Sequence, residues 1–555
     1  MYEDDRFGDT VTDNPAEIPR QGGRAAARKA LKTRRKKASR GKRILKWTAV
    51  GTASAVLVTA GGFYVYLKIL DSNIKTGDLH SGGVGPNTVA EHAGPNGQLP
   101  INVLVIGSDS RNNAEDVSLG GSQSSVGGAP HADVEMLVHI SADRTNASIT
   151  SIPRDTFVHG FACGGKTLPF DRITDTLAHG PGCVLDTWES VTGVHIDNWV
   201  MLDFSGVVKM ADAIGGVQVR ACKNVYDYYV YRDAQGVRHE EGSHLELPGG
   251  PHTIYGIQAL EWLRTRHAFG DGTDPGRTAA QHQYLNSMIR KFKSAGTLLN
   301  PAKLNSLAVA ATTSVKTSPG LGSIEAMSGL ALEFNKVPSN RVTTTTIPFS
   351  HMTEPGYTNP NNWVPIFNDQ TKQLFQMIAN DIPLDKNGAA PSASASPSPT
   401  ATPVAVDKAG IALTVENASA TVGRGKAMAE HLVSLGFSQA QRSTKPVTGT
   451  TELTYPTADK AQAEAVAAAL GLTPGTLKAS ASATGLTLKI GTEWPNGDDY
   501  RSTLPKQGTL PTGTDAQNAQ DDSGSCMPVA PGHTWTSSTP PVVPQPAGYR
   551  QYTTP

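Results

Sequence analysis

The strongest constraint on the fold of this chain is a stretch without any charged residue, which covers residues 47–67. As a helix that rises ~1.5 Å per residue, this stretch would be roughly 30 Å long, about the thickness of the hydrocarbon core of a bilayer. Trp47, Tyr64 and Tyr66 lie near its ends, where aromatic side chains favour the membrane interface. We therefore predict a single transmembrane helix over residues 47–68. The alternative is a cleaved signal peptide, which the length of the stretch and of the basic segment before it disfavours.

A dense basic run in residues 20–46 directly precedes this stretch. Taken alone, such a run could bind nucleic acid. Lys and Arg residues next to a membrane span, however, hold their end of the span in the cytoplasm. We therefore expect a disordered cytoplasmic tail over residues 1–46, single-pass insertion in the cell membrane, and no nucleic-acid partner. Everything after residue 68 would then be extracellular. The formal net charge of the whole chain is zero and indicates no partner.

The next part of the chain predicts a stalk and a large folded domain. Residues 69–98 are rich in Gly and polar side chains, as an extracellular stalk would be. Over residues 99–385, short β-branched runs alternate with helical patterns, which predicts an α/β layered domain with one large core. We expect strands near residues 101–106, 134–140, 147–152, 199–204, 217–221 and 342–347. We expect helices near residues 184–191, 205–213, 254–264, 279–293 and 303–312.

The composition changes again towards the end of the chain. A linker of Pro, Ser and Ala over residues 386–408 is too polar to form a core and marks a domain boundary. Residues 409–494 contain two helical patterns and several strand-like runs, which predicts a small α+β domain. Residues 495–555 return to Gly, Pro, Thr and Gln, a composition typical of a disordered tail.

Four cysteines, Cys163, Cys183, Cys222 and Cys526, lie on the predicted extracellular side, where disulfides can form. Four cysteines allow three pairings, and the sequence does not choose among them. A bridge between Cys163 and Cys183 would close a short loop and contribute roughly 3 kcal/mol in the chain-entropy model.

Two carboxylates stand where predicted strands begin or end. Asp109 lies in GSDSR (residues 107–111), directly after the first strand, and Asp133 opens the next one. Carboxylate oxygens at adjacent strand ends suit Mg²⁺ or Mn²⁺, because Mg²⁺ keeps waters that a phosphate can displace. Glu135 shares the face of Asp133 by the two-residue period of a strand and is a weaker ligand candidate. The alternative is that Asp109 and Asp133 only cap turns.

Arginines recur in two further clusters. SIPRDT (residues 151–156) places Arg154 where a strand runs into a charged turn, and RTRH (residues 264–267) follows a helical pattern with Arg264 and Arg266. Arg277 and Gln281 come shortly after it. The planar guanidinium donates two parallel hydrogen bonds and stays charged, so arginines suit a diphosphate. Any one of these arginines alone would be interpreted as an ordinary solvent-exposed surface side chain.

Together, these clusters resemble the LytR–CpsA–Psr family. Its domain typically carries G-S-D-x-R, R-x-D-T, S-I-P-R-D, R-x-R and D-x-G-R-x-x-R-Q in this order. The corresponding segments here are GSDSR (107–111), HADV (131–134), SIPRD (151–155), RTR (264–266) and DPGRTAAQ (274–281). The order and spacing agree over residues 99–350, and residues 415–437 resemble the LytR C-terminal domain. The resemblance implies a mixed β-sheet flanked by helices on both faces, a small α+β C-terminal domain and one N-terminal transmembrane helix.

The resemblance also implies an activity: a phosphotransferase that moves a glycopolymer from a polyprenyl-diphosphate carrier to peptidoglycan. Asp109 and Asp133 would hold the metal. With Arg111 and Arg154 they would form the catalytic set. The diphosphate would contact the arginines together with Gln281, namely Arg111, Arg154, Arg264, Arg266 and Arg277. Asp155, Asp271 and Asp274 are the candidates for a general base.

The sequence departs from the family pattern at three positions. His131 and Ala280 stand where the family usually has Arg, and Val134 stands where it usually has Thr. Losing two cations should weaken contacts with phosphate or indicate a different donor. Two alternatives therefore stay open. One is a polyprenyl-diphosphate hydrolase, and the other is a non-catalytic, membrane-anchored protein that binds the wall or regulates its assembly.

Overall fold

The structure is a computed structural model. It describes residues 23–81, 98–109, 119, 129–159, 162–163, 166–232, 235–359, 362–387, 406–473, 476–480, 482–520 and 526–535. The chain divides into two compact units, Met1–Ile69 and Leu70–Pro555.

A long α-helix, Gly23–Asn73, dominates the N-terminal unit. Its part Lys46–Asn73 is 28 residues long with a mean hydropathy of 1.5, and it is the one helix among the described residues that is long and apolar enough to cross a membrane. The prediction of a disordered tail over residues 1–46 is wrong for residues 23–46, which belong to this helix. Ala, Lys and Arg dominate this segment and are strong helix formers, so the helix extends backwards from the span. Residues 1–22 lie outside the described residues.

The centre of the second unit is a mixed sheet. Its strands in the described part of the chain are β1 (Lys75–Thr76), β2 (Ile101–Ser108), β3 (Ala132–Ile140), β4 (Ala147–Ser151), β5 (Asn198–Leu202), β6 (Val315–Thr317), β7 (Val342–Thr346) and β8 (Asp515–Asn518). Their order is β1-β6-β5-β2-β3-β4-β7-β8. β5 and β2 run parallel, as do β4 with β7 and β1 with β6. The other neighbours are antiparallel, which confirms the predicted mixed sheet.

Helices cover both faces of this sheet. Successive side chains of its strands point to opposite faces, and apolar side chains on each face pack against helices. Leu137 packs on one face with Trp188 of helix Pro181–Thr192 and Phe375 of helix Asp369–Ala379. Its neighbour Met136 packs on the other face. There it meets residues of helices Asp274–Lys293 and Ile324–Lys336. The predicted layered fold is thus confirmed.

A second group of elements packs beside the sheet. Its helices are Phe204–Ile214, Gly256–Arg264, Ala295–Leu298 and Pro301–Ser314. Its hairpins pair Val217–Ala221 with Gly250–Ile254, Val225–Tyr226 with Glu246–Leu247, and Tyr229–Arg232 with Arg238–Glu241. The strand predicted at residues 217–221 therefore exists, but it lies outside the central sheet. A small sheet holds the strands Ser350–Thr353, Trp363–Ile366, Phe157–Val158 and Asp171–Arg172.

The smaller predicted unit is also an α+β fold. Its sheet orders the described strands Ala440–Arg442, Leu413–Asn417, Leu486–Ile490, Glu452–Tyr455 and Leu477–Ala479. Helices Arg424–Ser434 and Lys460–Leu470 cover it and contribute to a core that includes the buried Trp494 and Phe437.

The predicted stalk, residues 69–98, is in part folded. Residues 75–76 form β1 at the edge of the central sheet, and His80 lies 2.7 Å from the buried Asp186. Trp199 donates from its indole nitrogen to the carbonyl of Asp78 at 3.0 Å. The composition could not reveal this, because the contacts involve backbone groups and distant partners. Residues 82–97 lie outside the described residues.

The prediction of a disordered tail over residues 495–555 is also wrong in part. Residues 515–518 form β8, which adds to the outer edge of β7. Residues 526–530 run back across the domain, where Met527 is buried. The strand pairs through its backbone, so its polar sequence gave no apolar pattern to recognise. Residues 521–525 and 536–555 lie outside the described residues, as do residues 388–405 of the predicted linker.

The cysteines pair as Cys163–Cys183 and Cys222–Cys526. The first bridge has the short spacing considered above, with a sequence separation of 20. The second joins residues that are 304 positions apart and ties the end of the chain to the large domain.

Candidate active site

The site begins with an irregularity between β2 and β3. Gly107 pairs with Val134 and Ser108 pairs with Ala132, so Asp133 between them has no partner on β2. Such a β-bulge redirects a side chain from the regular alternation. The position of Gly107 has no room for a side chain, because a Cβ there would lie 2.9 Å from the Cβ of Val134. The two strands thus present Asp133 at the rim of the sheet.

Asp109 follows the same strand end and is held by His131. The backbone N–H of His131 donates to Asp109 Oδ1 at 2.7 Å, and the N–H of Asp109 donates to the carbonyl of His131 at 3.2 Å. The imidazole of His131 lies between two carboxylates, 3.5 Å from Asp109 Oδ2 and 3.4 Å from Asp175 Oδ1. His131 therefore occupies the position of the family's usual arginine as a neighbour of two acids.

Asp133 forms an ion pair with Arg154, whose Nη1 lies 2.5 Å from Asp133 Oδ1. Burial alone would raise the pKa of Asp133, but the charges of Arg154 and Arg277 outweigh it and hold that pKa below its usual value. The same pairing, with a contribution from Asp155, raises the pKa of Arg154 against its own burial. Both side chains are therefore charged at neutral pH.

The N-terminus of helix Asp274–Lys293 supplies two more of the expected residues. Arg277 is buried and lies 2.6 Å from Asp274 Oδ1. Gln281 is one turn further along the same face and donates to the carbonyl of Leu263 at 3.3 Å. Arg264 donates to the carbonyl of Leu119 at 2.9 Å.

One cleft brings most of these groups together. Asp133, Arg154, Arg264, Arg266, Arg277 and Gln281 all line it, and its volume is about 620 Å³. That volume lies within the ~300–1,000 Å³ typical of ligand pockets. Arg111 lies outside the described residues. Asp109 stands beside the cleft at the end of β2.

The donors suit a divalent cation, although the described residues contain no cluster of three or more His, Cys, Asp or Glu side chains that could hold a metal. Asp109 and Asp133 offer carboxylate oxygens, and the lowered pKa of Asp133 keeps its carboxylate ionised. Two carboxylates are enough for Mg²⁺, which commonly keeps several waters and takes further oxygens from phosphates. The carboxylates of Asp109 and Asp133 are therefore chemically suited to bind a divalent cation such as Mg²⁺.

The third ligand candidate, Glu135, is wrong. Its side chain is buried in the core, where the indole nitrogen of Trp188 donates to Glu135 Oε2 at 2.5 Å. Glu135 Oε1 has no hydrogen-bond partner among the described residues. Burial raises the pKa of Glu135 to about 8. Glu135 pairs with Ile106 of β2, away from the rim, and the bulge at Asp133 breaks the two-residue period that would have placed both side chains on one face.

The three candidate bases occupy different surroundings. Asp271 is exposed and accepts from the N–H of Thr273 at 3.0 Å, so it caps the turn before a helix. Asp274 is paired with Arg277. Asp155 lies 3.7 Å from both Arg154 and Arg172 and 3.5 Å from Arg266, so it organises the arginines. None of the three is among the side chains that line the cleft in the described structure.

The cleft contains residues that the sequence did not single out, among them Asp227, Tyr229, Ser243 and Glu261. Glu261 had a recognisable signal, since it lies three residues before Arg264 and therefore on the same face of helix Gly256–Arg264. The others come from hairpins without a regular pattern.

Comparison with known proteins places these features in a family. The LytR_cpsA_psr family model matches residues 68–379, and the model described as LytR cell envelope-related transcriptional attenuator matches residues 410–494. The chain is 27% identical to the cell wall biosynthesis protein LcpA of Corynebacterium glutamicum, over 76% of this chain and 80% of that protein. It is 27% identical to the polyisoprenyl-teichoic acid–peptidoglycan teichoic acid transferase TagV of Bacillus subtilis, over 58% of this chain and 74% of that protein.

Among solved structures, a LytR-Csp2A-Psr enzyme from Actinomyces oris matches 54% of this chain and 96% of its own, with 19% identity and a TM-score of 0.38. The family model alone covers more than half of the chain, and its range contains every site residue predicted above. The protein therefore belongs to the LytR–CpsA–Psr family.

Proposed function

We propose that this protein transfers a glycopolymer from a polyprenyl-diphosphate carrier to peptidoglycan in cell wall assembly. The observation that carries the proposal is one cleft that combines four arginines with the ionised Asp133. Family membership supports the same reaction, because relatives such as TagV are named as transferases of polyisoprenyl-linked teichoic acid to peptidoglycan.

In the proposed reaction, an acceptor hydroxyl of peptidoglycan attacks the phosphorus next to the sugar. The bond from this phosphorus to the bridging oxygen breaks, the polyprenyl phosphate leaves, and the hydroxyl proton passes to a base. Arg154, Arg264, Arg266 and Arg277 would bind the diphosphate oxygens and stabilise the charge on the leaving phosphate. The buried Arg277 is held by Asp274, so its guanidinium is positioned before substrate binds.

We propose that the reaction depends on Mg²⁺ or Mn²⁺ held by Asp109 and Asp133. A bound cation would neutralise the diphosphate and polarise its oxygens. Arg154 lies 2.5 Å from Asp133 and would therefore stand close enough to a diphosphate bound at this cation to contact its oxygens.

The departures from the family pattern bear on the alternatives. Ala280 is buried beside Trp262, whose indole nitrogen donates to the carbonyl of Ala280 at 3.0 Å. The position is part of the core, so the four cleft arginines would bind the diphosphate without a cation from residue 280. Hydrolysis would use the same cleft with water as acceptor, and a regulatory protein would bind the lipid without turnover.

We further propose that helix Gly23–Asn73 anchors the protein in the membrane with its basic end in the cytoplasm. The residues of the cleft would then lie on the side of the membrane on which peptidoglycan is assembled. Cysteine accessibility on intact cells, with single cysteines introduced at positions 20 and 299, distinguishes the two orientations.

The decisive assay incubates the full-length protein in detergent with a polyprenyl-diphosphate-linked oligosaccharide and peptidoglycan fragments, with and without Mg²⁺. We expect metal-dependent attachment of sugar to the fragments, and we expect Asp109→Ala and Arg154→Ala each to lower the rate at least ~100-fold. Glu325→Gln, on an exposed helix start, is the control. Release of sugar phosphate without attachment would support hydrolysis, and binding without turnover would support the regulatory alternative.

A further inference from the structure

The side chains that line the cleft fall into two groups of different character. One group, which we call the arginine end, consists of Arg154, Arg264, Arg266 and Arg277. The other, which we call the carboxyl end, consists of Asp227, Tyr229, Glu241, Ser243 and Glu261. The proposed diphosphate accounts for the arginine end alone. The carboxyl end has no role in the reaction as described above.

Helix Gly256–Arg264 contributes residues to both groups. Ile257, Leu260, Glu261 and Arg264 all line the cleft, and their spacing of three, four and seven residues places them on one face of the helix. The opposite face packs into the core through Ala259 and Trp262. Glu261 is therefore directed to the cleft by the same geometry that directs Arg264.

The carboxyl group of Glu261 lacks the partners that a buried carboxyl normally has. The residue is 3% exposed, and neither carboxyl oxygen has a hydrogen-bond partner among the described residues. Burial raises the pKa of Glu261 well above its ordinary value, although the charge of Arg264 opposes this effect. An unpaired buried polar group is costly for the fold, which favours a role in binding over one in stability.

The carboxyl group of Asp227 is also buried and also has an oxygen without a hydrogen-bond partner among the described residues. It is 1% exposed, and its Oδ2 accepts from the N–H of Ser243 at 3.0 Å. Its Oδ1 has no hydrogen-bond partner in the described part of the chain, and His533 Nδ1 is 3.9 Å away. Two buried carboxyl groups thus present oxygens without donors to one cleft.

The lining of the carboxyl end indicates the chemistry of its ligand. The unpaired carboxyl oxygens of this end accept hydrogen bonds, so a fitting ligand supplies donors, as sugar hydroxyls do. Ile257, Leu260 and the ring of Tyr229 add apolar surface for the C–H face of a sugar ring. A second phosphate or carboxylate would be repelled, because Glu240 and Glu241 also line this end.

We propose that the carboxyl end is a saccharide subsite that binds an uncharged sugar through hydrogen bonds from its hydroxyls to Glu261 and Asp227. This inference rests on the proposed function, since the sugar would belong to the donor glycan or to the acceptor strand. The ligand class is the same for both sources: a neutral, hydroxyl-rich pyranose next to the diphosphate.

The test measures binding of three probes to the full-length protein in detergent: an N-acetylglucosamine tetramer, the same tetramer with a phosphate group, and polyprenyl diphosphate without sugar. For Glu261→Gln we expect about tenfold weaker binding of the neutral tetramer and unchanged binding of polyprenyl diphosphate. We expect the wild type to bind the phosphorylated tetramer at least as tightly as the neutral one, because its phosphate can reach the arginine end of the same cleft. Glu189→Gln is the matched control, because Glu189 is a buried carboxyl outside the cleft with one unpaired oxygen.

A second variant separates binding from folding. Glu261→Leu removes the unpaired carboxyl, so we expect an equal or higher melting temperature together with lost tetramer binding. Unchanged tetramer binding in both variants, equal weakening of polyprenyl diphosphate, or a lower melting temperature in both would overturn the subsite.

Steady-state kinetics assigns the source of the sugar. A raised KM for the peptidoglycan fragment assigns the subsite to the acceptor, a raised KM for the lipid-linked donor assigns it to the donor, and no change in either contradicts it. The proposed function fails differently. In that case the wild type would bind the tetramer without transferring any glycan.

Discussion

The buried Glu135 gives the sharpest prediction about stability. Its pKa is raised by burial to about 8 from an ordinary value of 4.5. The folded chain therefore binds this proton more tightly than the unfolded chain, and stability falls as the pH rises from about 4.5 through about 8. At ~1.36 kcal/mol for each pH unit, the ionised carboxyl costs the fold up to about 5 kcal/mol above this range.

Replacing Glu135 with Gln removes this titration and keeps an acceptor for the indole of Trp188. We expect Glu135→Gln to be more stable than the wild type by about 2–4 kcal/mol near pH 8.5. Near pH 5 we expect equal or lower stability, by at most ~1 kcal/mol, because the new amide N–H groups lack acceptors. The difference between variant and wild type, and not either curve alone, isolates this group.

Urea unfolding followed by tryptophan fluorescence, at a series of pH values, measures this difference. The same variant also tests whether Glu135 binds metal. A ligand would have a lowered pKa, so its loss would weaken Mg²⁺ binding and would leave no gain in stability at high pH. A variant that is less stable than the wild type near pH 8.5, or that needs more Mg²⁺ for activity, refutes the placement of Glu135 in the core.

Two further predictions concern the proposed metal ligand Asp133 and the disulfide between Cys222 and Cys526. Asp133→Asn should abolish the Mg²⁺ response of transfer and lower the pKa of Arg154, which Asp133 raises; unchanged Mg²⁺ dependence in rate assays would contradict this role. Cys526→Ser should free the C-terminal segment from Cys222 and cost up to about 5 kcal/mol of stability in the chain-entropy model, because the bridge spans 304 residues. Limited proteolysis should then cleave after residue 520, and resistance equal to that of the wild type would show that the bridge is dispensable.

The sequence predicted the layers of the fold because apolar periodicity reports burial directly. Alternation along residues 134–140 placed Leu137 and Met136 on opposite faces, as the structure has them. The same reasoning failed for β8, since Asp515–Asn518 pairs with β7 through backbone hydrogen bonds and carries no apolar signal. It also failed for Glu135, because the bulge at Asp133 breaks the two-residue period and because the period does not show how deeply a residue is buried.

In the candidate site, too, local patterns predicted some features and missed those that depend on tertiary structure. The motifs singled out Arg154, Arg264 and Arg277, and the structure places all three in the lining of one cleft. The bulge that presents Asp133 depends on the register between two strands, which no local pattern encodes. The carboxyl end of the cleft depends on hairpins whose pairing is a tertiary property.

The proposed transfer is tested most directly by following the phosphorus next to the sugar. A polyprenyl-diphosphate-linked oligosaccharide labelled with ³²P at that position is incubated with the full-length protein, Mg²⁺ and peptidoglycan fragments. The proposed reaction predicts that the label appears on the fragments through a phosphodiester, while unlabelled polyprenyl phosphate is released. Label that stays with the lipid, or that appears only as free sugar phosphate, would contradict transfer of the phosphorylated glycan.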